Sequence, residues 1–516
     1  MRVLGQKILA FVIGASGLLA GCATNPVTGK SELHLVPESQ EIMIGAQNYA
    51  PSRQAQGGTY MVRPEVEDYV RKVGKKVAAV SDRPSLPYEF SVLNNSEPNA
   101  WALPGGKIAV NRGLLTELNS EAELAAVIGH EIVHAAARHG AKTIERGVLL
   151  QAGVLGIGLA SQDSDYSDLI LTGAQVGAGL MTMKYSRGQE SESDHYGMKY
   201  MQKAGYDTQA AVELQETFVR LFEKQSPMWI EGLFASHPPS RERVEANRKT
   251  LAEFPPGGFR GEKEYRDAMA GLRADAEAYK RMDEGTKALA DKNYDLAISK
   301  ANEALRIQPD EAMFHALAAA AFHEKKQERN ALTMVNKAIS LNSDYYELYL
   351  LRGRIKKALG DPTAAADLKR SNQLLPTATA SEMLGRLALD AGDRESARRH
   401  FGDAAQSDSE AGRAARAEYA RLGLAVNPGE FMTFDARLDR QGRADLLVMN
   451  NGPVAVRDLL VQVSSRRDGR TQAFRIPGPL APGEAASRRT LLGPYADVRA
   501  MTGDLLVKVV SAEAAE

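Results

Sequence analysis

A period of 34 residues runs through the second half of this chain, and no other feature constrains its fold as strongly. Ala297-Ile298, Ala331-Leu332 and Ala365-Ala366 occupy equivalent places, as do Ala304, Ala338 and Asn372, and Gly285, Ala319 and Gly353. Small residues recurring at that interval let helices approach closely. The stretch therefore predicts stacked helix pairs, each burying a face only against its neighbours. The match is good over residues 283–342 and weaker in a third repeat. It continues at a shifted spacing through Ala397, Phe401 and Ala404 to about Leu424. Such an array offers a concave face to a partner, although a plain helical spacer would read the same way.

Upstream of the repeats stands His130-Glu131-Ile132-Val133-His134, an HExxH motif. Residues 121–137 read as a helix, with Leu124, Val127, Ile128, Ile132 and Val133 at helical spacing. Histidines four apart share a helix face, so both imidazoles reach one ion, with Glu131 beside it as a base. Zinc accepts nitrogen donors in this way, and catalytic zinc sites take three protein ligands. Chance can produce the motif, but an apolar helix carrying two histidines and a carboxylate on one side argues for the metal.

One large zinc class continues as HExxHxxGxxH. Ala137 and Gly140 stand where its glycine and third histidine would be, so this chain is outside that class. His139 is out of register with the pair and reads as a helix-end histidine near the negative end of the dipole. The other class takes a glutamate from a later helix, and the candidate is Glu190 in the segment from Tyr185 to His195. Glu190 and Asp194 share a face, whereas Glu192 is turned ~200° away. Asp194 can then hold a ligand imidazole in its proper tautomer from behind. A solvated acidic helix face is the plainer alternative.

HExxH followed by Tyr-Ser-Arg-x-x-Glu-x-Glu-x-Asp, with Asn99-Ala100-Trp101-Ala102-Leu103-Pro104-Gly105-Gly106 upstream and Ser236-His237-Pro238 downstream, resembles the M48 family of zinc metallopeptidases. The resemblance is to its bacterial lipoprotein branch with tetratricopeptide repeats, and runs from about Thr24 to about Asn247. It implies one zinc ion per chain, held at the positions of His130, His134 and Glu190. It implies Glu131 as catalytic base and Asp194 as a residue often assigned as an acid. The family usually has alanine where this chain has Ser193, a small departure. His237 sits among prolines that fix a loop, and the resemblance implies that it closes the fourth metal position, leaving a latent enzyme. Misfolded or stalled outer-membrane proteins are the implied substrates, and the repeats would contact the assembly machinery.

The chain has 64 basic and 65 acidic residues, a net charge of −1, which argues against nucleic acid or an acidic membrane as the main partner. Its single cysteine, Cys22, excludes internal disulfides and thiolate metal sites. Arg2 and Lys7, an apolar run over 8–20 and Leu19-Ala20-Gly21-Cys22 read as a lipoprotein leader with Cys22 as the lipidation site. The run is too short to span a bilayer. Ala23 after the cysteine points to the outer membrane under the enteric sorting rule.

The expected fold is α+β, mainly α, in six parts. These are a signal peptide (1–21), a tether (22–50), a zincin-like metallopeptidase domain (51–253), a linker (254–270), tetratricopeptide-like repeats (271–425) and a small β-sandwich (426–516). Strands are expected at 431–438, 445–449, 458–463, 473–476, 488–492 and 505–510. Apolar stretches at 147–160 and 168–183 read as buried helices or a cover near the site. A hairpin around Pro104-Gly105-Gly106 places Asn99, Ala100, Trp101, Ala102 and Leu103 as an edge strand for an extended substrate. The function expected is a lipid-anchored zinc metalloendopeptidase on the periplasmic face of the outer membrane. A chaperone or adaptor with a silent protease domain is the alternative.

Overall fold

The structure is a computed structural model that describes residues 22–155, 184–223, 233–476 and 478–515. The leader at 1–21 and most of the two apolar stretches at 147–160 and 168–183 lie outside them. The fold is α+β and mainly α, and divides into two compact units, Met1–Leu351 and Arg352–Glu516.

In the first unit, β1 (Cys22–Thr24) and β2 (Ser31–Leu33) form a short antiparallel ribbon. Its turn is held by Asn25 Oδ1, which accepts from the Val27 and Thr28 amides. A three-stranded sheet follows, made of β3 (Glu89–Leu93), β4 (Ala100–Leu103) and β5 (Lys107–Asn111). The fully buried β5 lies in the middle, parallel to β3 and antiparallel to β4. Gly105 and Gly106, at φ 74° and 82°, make the expected hairpin turn that an L side chain would strain. That leaves β4 at the sheet edge. Asn111 donates its amide to Asn99 O, so Trp101 and Leu103 bond to β5 while Ala100 and Ala102 turn their peptide groups outward.

The HExxH motif lies on the helix Glu121–Ala136. Ser120 caps it by accepting from the Glu123 amide, and Glu121 in its first turn accepts from the hydroxyls of Tyr69 and Tyr206. Leu124, Ile128 and Ile132 point into the core with the valines of the Pro64–Ala78 helix, Val66, Val70, Val73 and Val77. The motif helix also packs on the helix Arg187–Lys203 through a glycine pair. A Cβ on Gly129 would stand 3.1 Å from Gly197 O, and one on Gly197 3.1 Å from the His130 amide nitrogen. Only glycines permit that spacing without displacing backbone, and it brings the two functional helices together.

Two expected boundaries are corrected. The tether at 22–50 is folded against the peptidase region, with the Leu35 and Val36 amides on Glu145 Oε1, Val36 buried, and a helix starting at Glu38. The linker at 254–270 contains the helix Glu262–Ala268, whose Tyr265 is fully buried and donates to Leu115 O at 2.7 Å. Polar and turn-rich composition mimics a linker, but it does not reveal these long-range hydrogen bonds.

Two helix pairs complete the first unit: Ala276–Ala290 with Tyr294–Ile307, and Ala312–Glu324 with Glu328–Leu341. The period-34 alanines Ala297, Ala304, Ala331 and Ala338 are fully buried between them. Polar pairs join these helices to the peptidase region: the partly exposed Arg63 with Asp275 at 2.7 Å, and the buried Asn94 with Glu311 at 3.1 Å.

The second unit continues the helical pattern with Ala364–Leu374, Ala378–Asp390, Arg394–Ala405 and Glu410–Leu424. Lys292, Lys326 and Gly360 hold the same left-handed turn position in successive pairs, and Gly392 takes it two residues early. That is the shifted spacing expected from the sequence. Two three-stranded antiparallel sheets follow. One has the order β10 (Ala485–Arg489), β7 (Ala444–Asn450), β6 (Met432–Leu438). The other has the order β11 (Leu505–Ala514), β8 (Val456–Ser465), β9 (Thr471–Ile476). Leu446, Val448, Val461 and Val463 alternate into one shared core. β10 starts before the expected 488, and the helix Val498–Asp504, capped by Asp497, was not foreseen. No helix among the described residues is long and apolar enough to cross a membrane.

Candidate metal centre

Four side chains converge between the motif helix and its neighbours: His130, His134, Glu190 and His237, with one donor atom from each within 4.8 Å of all the others. Ser186 places Glu190 by opening its helix with a capping box, in which Ser186 and Gln189 bond each other's amides. His130 Nε2 lies 3.0 Å from His134 Nε2 and 3.2 Å from His237 Nδ1. Glu190 Oε1 is 3.0 Å from His237 Nδ1 and 3.4 Å from His134 Nε2. Zinc–ligand distances of ~2.0–2.1 Å generate a tetrahedron with edges of about 3.3 Å, so these separations fit that ion.

A second observation supports the fit. Among the described residues Glu131 Oε2 is buried without a hydrogen bond, whereas Glu190 Oε2 has Arg243 Nη1 at 2.9 Å. A carboxylate oxygen buried as that of Glu131 is calls for a cation or a proton donor beside it. Glu131 is 1 % exposed, and its Oε1 is 3.6 Å from His237 Nε2.

The charges are arranged in opposition. Burial disfavours a charged His130, but Glu190 and Asp194 outweigh it and push its pKa up to about 10. Burial, with His130 and His139 adding to it, drives His134 well below the usual imidazole range. Burial raises Glu131. Glu190 is held well below the carboxylate range despite burial by His237 and His130, and Asp194 is held down by Arg243 and His130.

Asp194 lies behind the cluster, its Oδ1 2.9 Å from His130 Nδ1. Arg243 grips it with two bonds of 2.7 Å and donates to Pro238 O, which ties the His237 loop to the same clamp. Nothing in the sequence marks Arg243 beyond its being an arginine near Ser236-His237-Pro238. Nor does local spacing mark Tyr185, whose ring stacks on His134 at 3.7 Å and whose hydroxyl is 3.5 Å from Ala102 O on β4. Asn99 bonds its own chain, with Oδ1 accepting from the Ala100 amide, and Trp101 donates to Gln56 Oε1. Neither reaches the cluster directly. Ser193 is fully buried, and its Oγ has no hydrogen-bond partner among the described residues.

One expectation changes here. His139 is more than a helix-end residue: it is fully buried, with Nδ1 2.9 Å from His134 Nδ1. Glu192, turned away from Glu190, sets its Oε1 3.2 Å from His139 Nε2. The cause is Arg138, whose φ of 61° ends the motif helix and starts the helix His139–Leu155 in a new direction. A register computed along one continuous helix could not place His139 correctly.

Residues 64–251 match peptidase family M48. The chain is 36% identical over 186 residues to mitochondrial metalloendopeptidase OMA1 of Schizosaccharomyces pombe, covering 36% of this chain and 53% of that protein. It is 29% identical over 217 residues to the beta-barrel assembly-enhancing protease of Escherichia coli, covering 40% of this chain and 44% of that protein. The chain thus spans only about half the length of these two relatives. It is also 31% identical over 193 residues to metalloprotease YcaL of Escherichia coli, covering 35% of this chain and 71% of that protein. That last coverage, with the match over 64–251 enclosing all four clustered donors, shows that the chain belongs to peptidase family M48.

Proposed function

We propose that this chain is a zinc-dependent metalloendopeptidase, binding one zinc ion per chain through His130, His134 and Glu190. The observation that carries the reading is the convergence of those donors beside a buried carboxylate, Glu131, that accepts no hydrogen bond at Oε2 from the described residues. A bound zinc ion would supply Lewis acidity toward a peptide carbonyl and water. Glu131 takes the proton released as water attacks the carbonyl carbon, and passes it to the leaving amine. Asp194 acts as a positioning residue rather than an acid, because both its oxygens are occupied by Arg243 and His130. The outward Ala100 carbonyl and Ala102 amide on β4 would receive an extended substrate as an added strand, the Ala100 amide and the Ala102 carbonyl being engaged by Asn99 Oδ1 and the Tyr185 hydroxyl.

His237 favours a second, compatible reading in which the resting enzyme is latent. Its Nδ1 lies 3.2 Å from His130 Nε2 and 3.0 Å from Glu190 Oε1, where it would compete with water for the fourth position. One paired assay tests both. Zinc content and casein cleavage are measured for wild type, Glu131→Gln and His237→Ala. Glu131→Gln should keep zinc and lose cleavage by about 10²–10⁴-fold, since an amide cannot take the proton. His237→Ala should cleave faster with zinc retained. A zinc-free wild type, or full activity in Glu131→Gln, would overturn the peptidase reading, and unchanged turnover in His237→Ala would remove the latch.

Its cellular role follows by analogy with the beta-barrel assembly-enhancing protease. The chain is proposed to act on misfolded or stalled envelope proteins from the periplasmic face of the outer membrane, anchored by lipid on Cys22. The repeats would meet the assembly machinery. A Cys22→Ala protein should leave the membrane fraction; continued pelleting after a salt wash would dismiss that anchor.

A further inference from the structure

His130 and His134 come from one motif, yet the groups behind them differ. Behind His130 stands an anion, Asp194, in direct contact at 2.9 Å. Behind His134 stands a second imidazole, His139, and only beyond it a carboxylate, Glu192. The protons in that chain are fixed by logic. His134 Nε2 faces the cluster and must be free of hydrogen to bind a metal, so its hydrogen is on Nδ1. His139 Nδ1, 2.9 Å away, must then accept, which puts the hydrogen of His139 on Nε2. Glu192 Oε1 receives it at 3.2 Å. The opposite tautomers would leave a hydrogen on the metal-facing nitrogen of His134.

We propose that His139 and Glu192 are positioning residues for the metal, fixing the tautomer and ring orientation of His134 through a two-step hydrogen-bond chain. The proposal rests on the zinc reading of the cluster. The surroundings are built for the purpose. His139 is fully buried, and the ring of Tyr185 stacks on the face of His134 at 3.7 Å, which resists rotation of His134 toward another acceptor. Arg138, left-handed and buried, is held by Glu41 at 3.0 Å, and it sets the direction in which His139 returns. Glu192 arrives from the helix that also brings Glu190 and Asp194, so that helix supports both ligand histidines.

The test uses the full-length chain and three variants, His139→Leu, His139→Asn and Glu192→Ala. Zinc affinity is read by chelator competition, and the cobalt-substituted protein by its visible absorption. In asparagine, Oδ1 stands near the place of His139 Nδ1 and keeps the acceptor for His134. His139→Leu should weaken zinc by about 10–100-fold, the usual cost of losing a ligand's supporting partner, and should shift the cobalt bands. His139→Asn should recover most of the affinity and the wild-type bands. Glu192→Ala, at a partly exposed position that tolerates truncation, should fold and weaken zinc several-fold. Wild-type affinity and spectrum in both His139→Leu and Glu192→Ala would overturn the proposal while leaving the metal site standing. Equal losses in His139→Leu and His139→Asn with an unaltered Glu192→Ala would also overturn it, since packing alone would then explain them. A wild type that binds no zinc would instead refute the peptidase reading.

Discussion

The metal centre and the repeats are both helical, but they draw on sequence in opposite ways. In the centre, the partners that assemble the site lie far along the chain: His130 meets Asp194 across 64 positions and His237 across 107. In the repeats, fully buried alanines such as Ala297 and Ala331 meet the neighbouring helix, and the same small residue returns one period later. A periodic surface tolerates change because its energy is spread over many alike contacts. The centre concentrates buried charge, and removing one partner leaves another exposed to the full desolvation penalty.

One backbone feature occurs in both regions and allows a matched test. Arg138 beside the centre and Lys326 in the repeats both have a φ of 61°. Glycine should relieve that conformation in each. At Arg138, however, the side chain is buried and donates to Glu41 Oε2 at 3.0 Å, with Glu145 3.6 Å away. Arg138→Gly should therefore cost about 3–5 kcal/mol, the range for breaking a buried ion pair, and should also lower zinc retention by misdirecting His139. Denaturant midpoints and zinc content would measure this. A neutral outcome would mean that Glu41 is satisfied by Arg83 alone, at 3.1 Å, and that the contrast between the regions is false.

The same contrast explains what the sequence made legible. The repeats were visible because period, small residues and turns lie within one short window. The shifted fourth pair was visible too, with Gly392 arriving early. His130, His134 and Glu190 were visible because i,i+4 spacing is local and the acidic helix carries its own capping signal. Asp194 was visible for the same reason. Arg243, Tyr185, His139 and Glu192 were not, because each is placed by a turn or a helix crossing rather than by spacing. Arg138 is the sharpest case: arginine is not a residue that announces a left-handed turn, so helical register was carried past it. The glycines at 129 and 197 stood in the sequence without any sign that they face each other. The tether and linker failed similarly, since turn-rich composition says nothing of Glu145 or Leu115 waiting elsewhere to bond them.

The smallest effect is expected at Lys326. Its side chain is exposed, and its amide closes the turn on His323 O at 2.8 Å, a bond that any residue can make. Lys326→Gly removes the Cβ that makes the left-handed conformation costly by about 1–2 kcal/mol, and adds about 0.5–1 kcal/mol of chain entropy to lose on folding. The net expectation is a gain of up to about 1 kcal/mol, with zinc retention unchanged. Gly360, at the corresponding turn one period later, carries the residue that the substitution would introduce. Lys326→Val should go the other way, because a branched side chain tolerates positive φ poorly. Denaturant midpoints of the three proteins decide the matter. If Lys326→Gly lost as much stability as Arg138→Gly, the turn would depend on its lysine side chain. The repeats would then be no more tolerant of single changes than the metal centre.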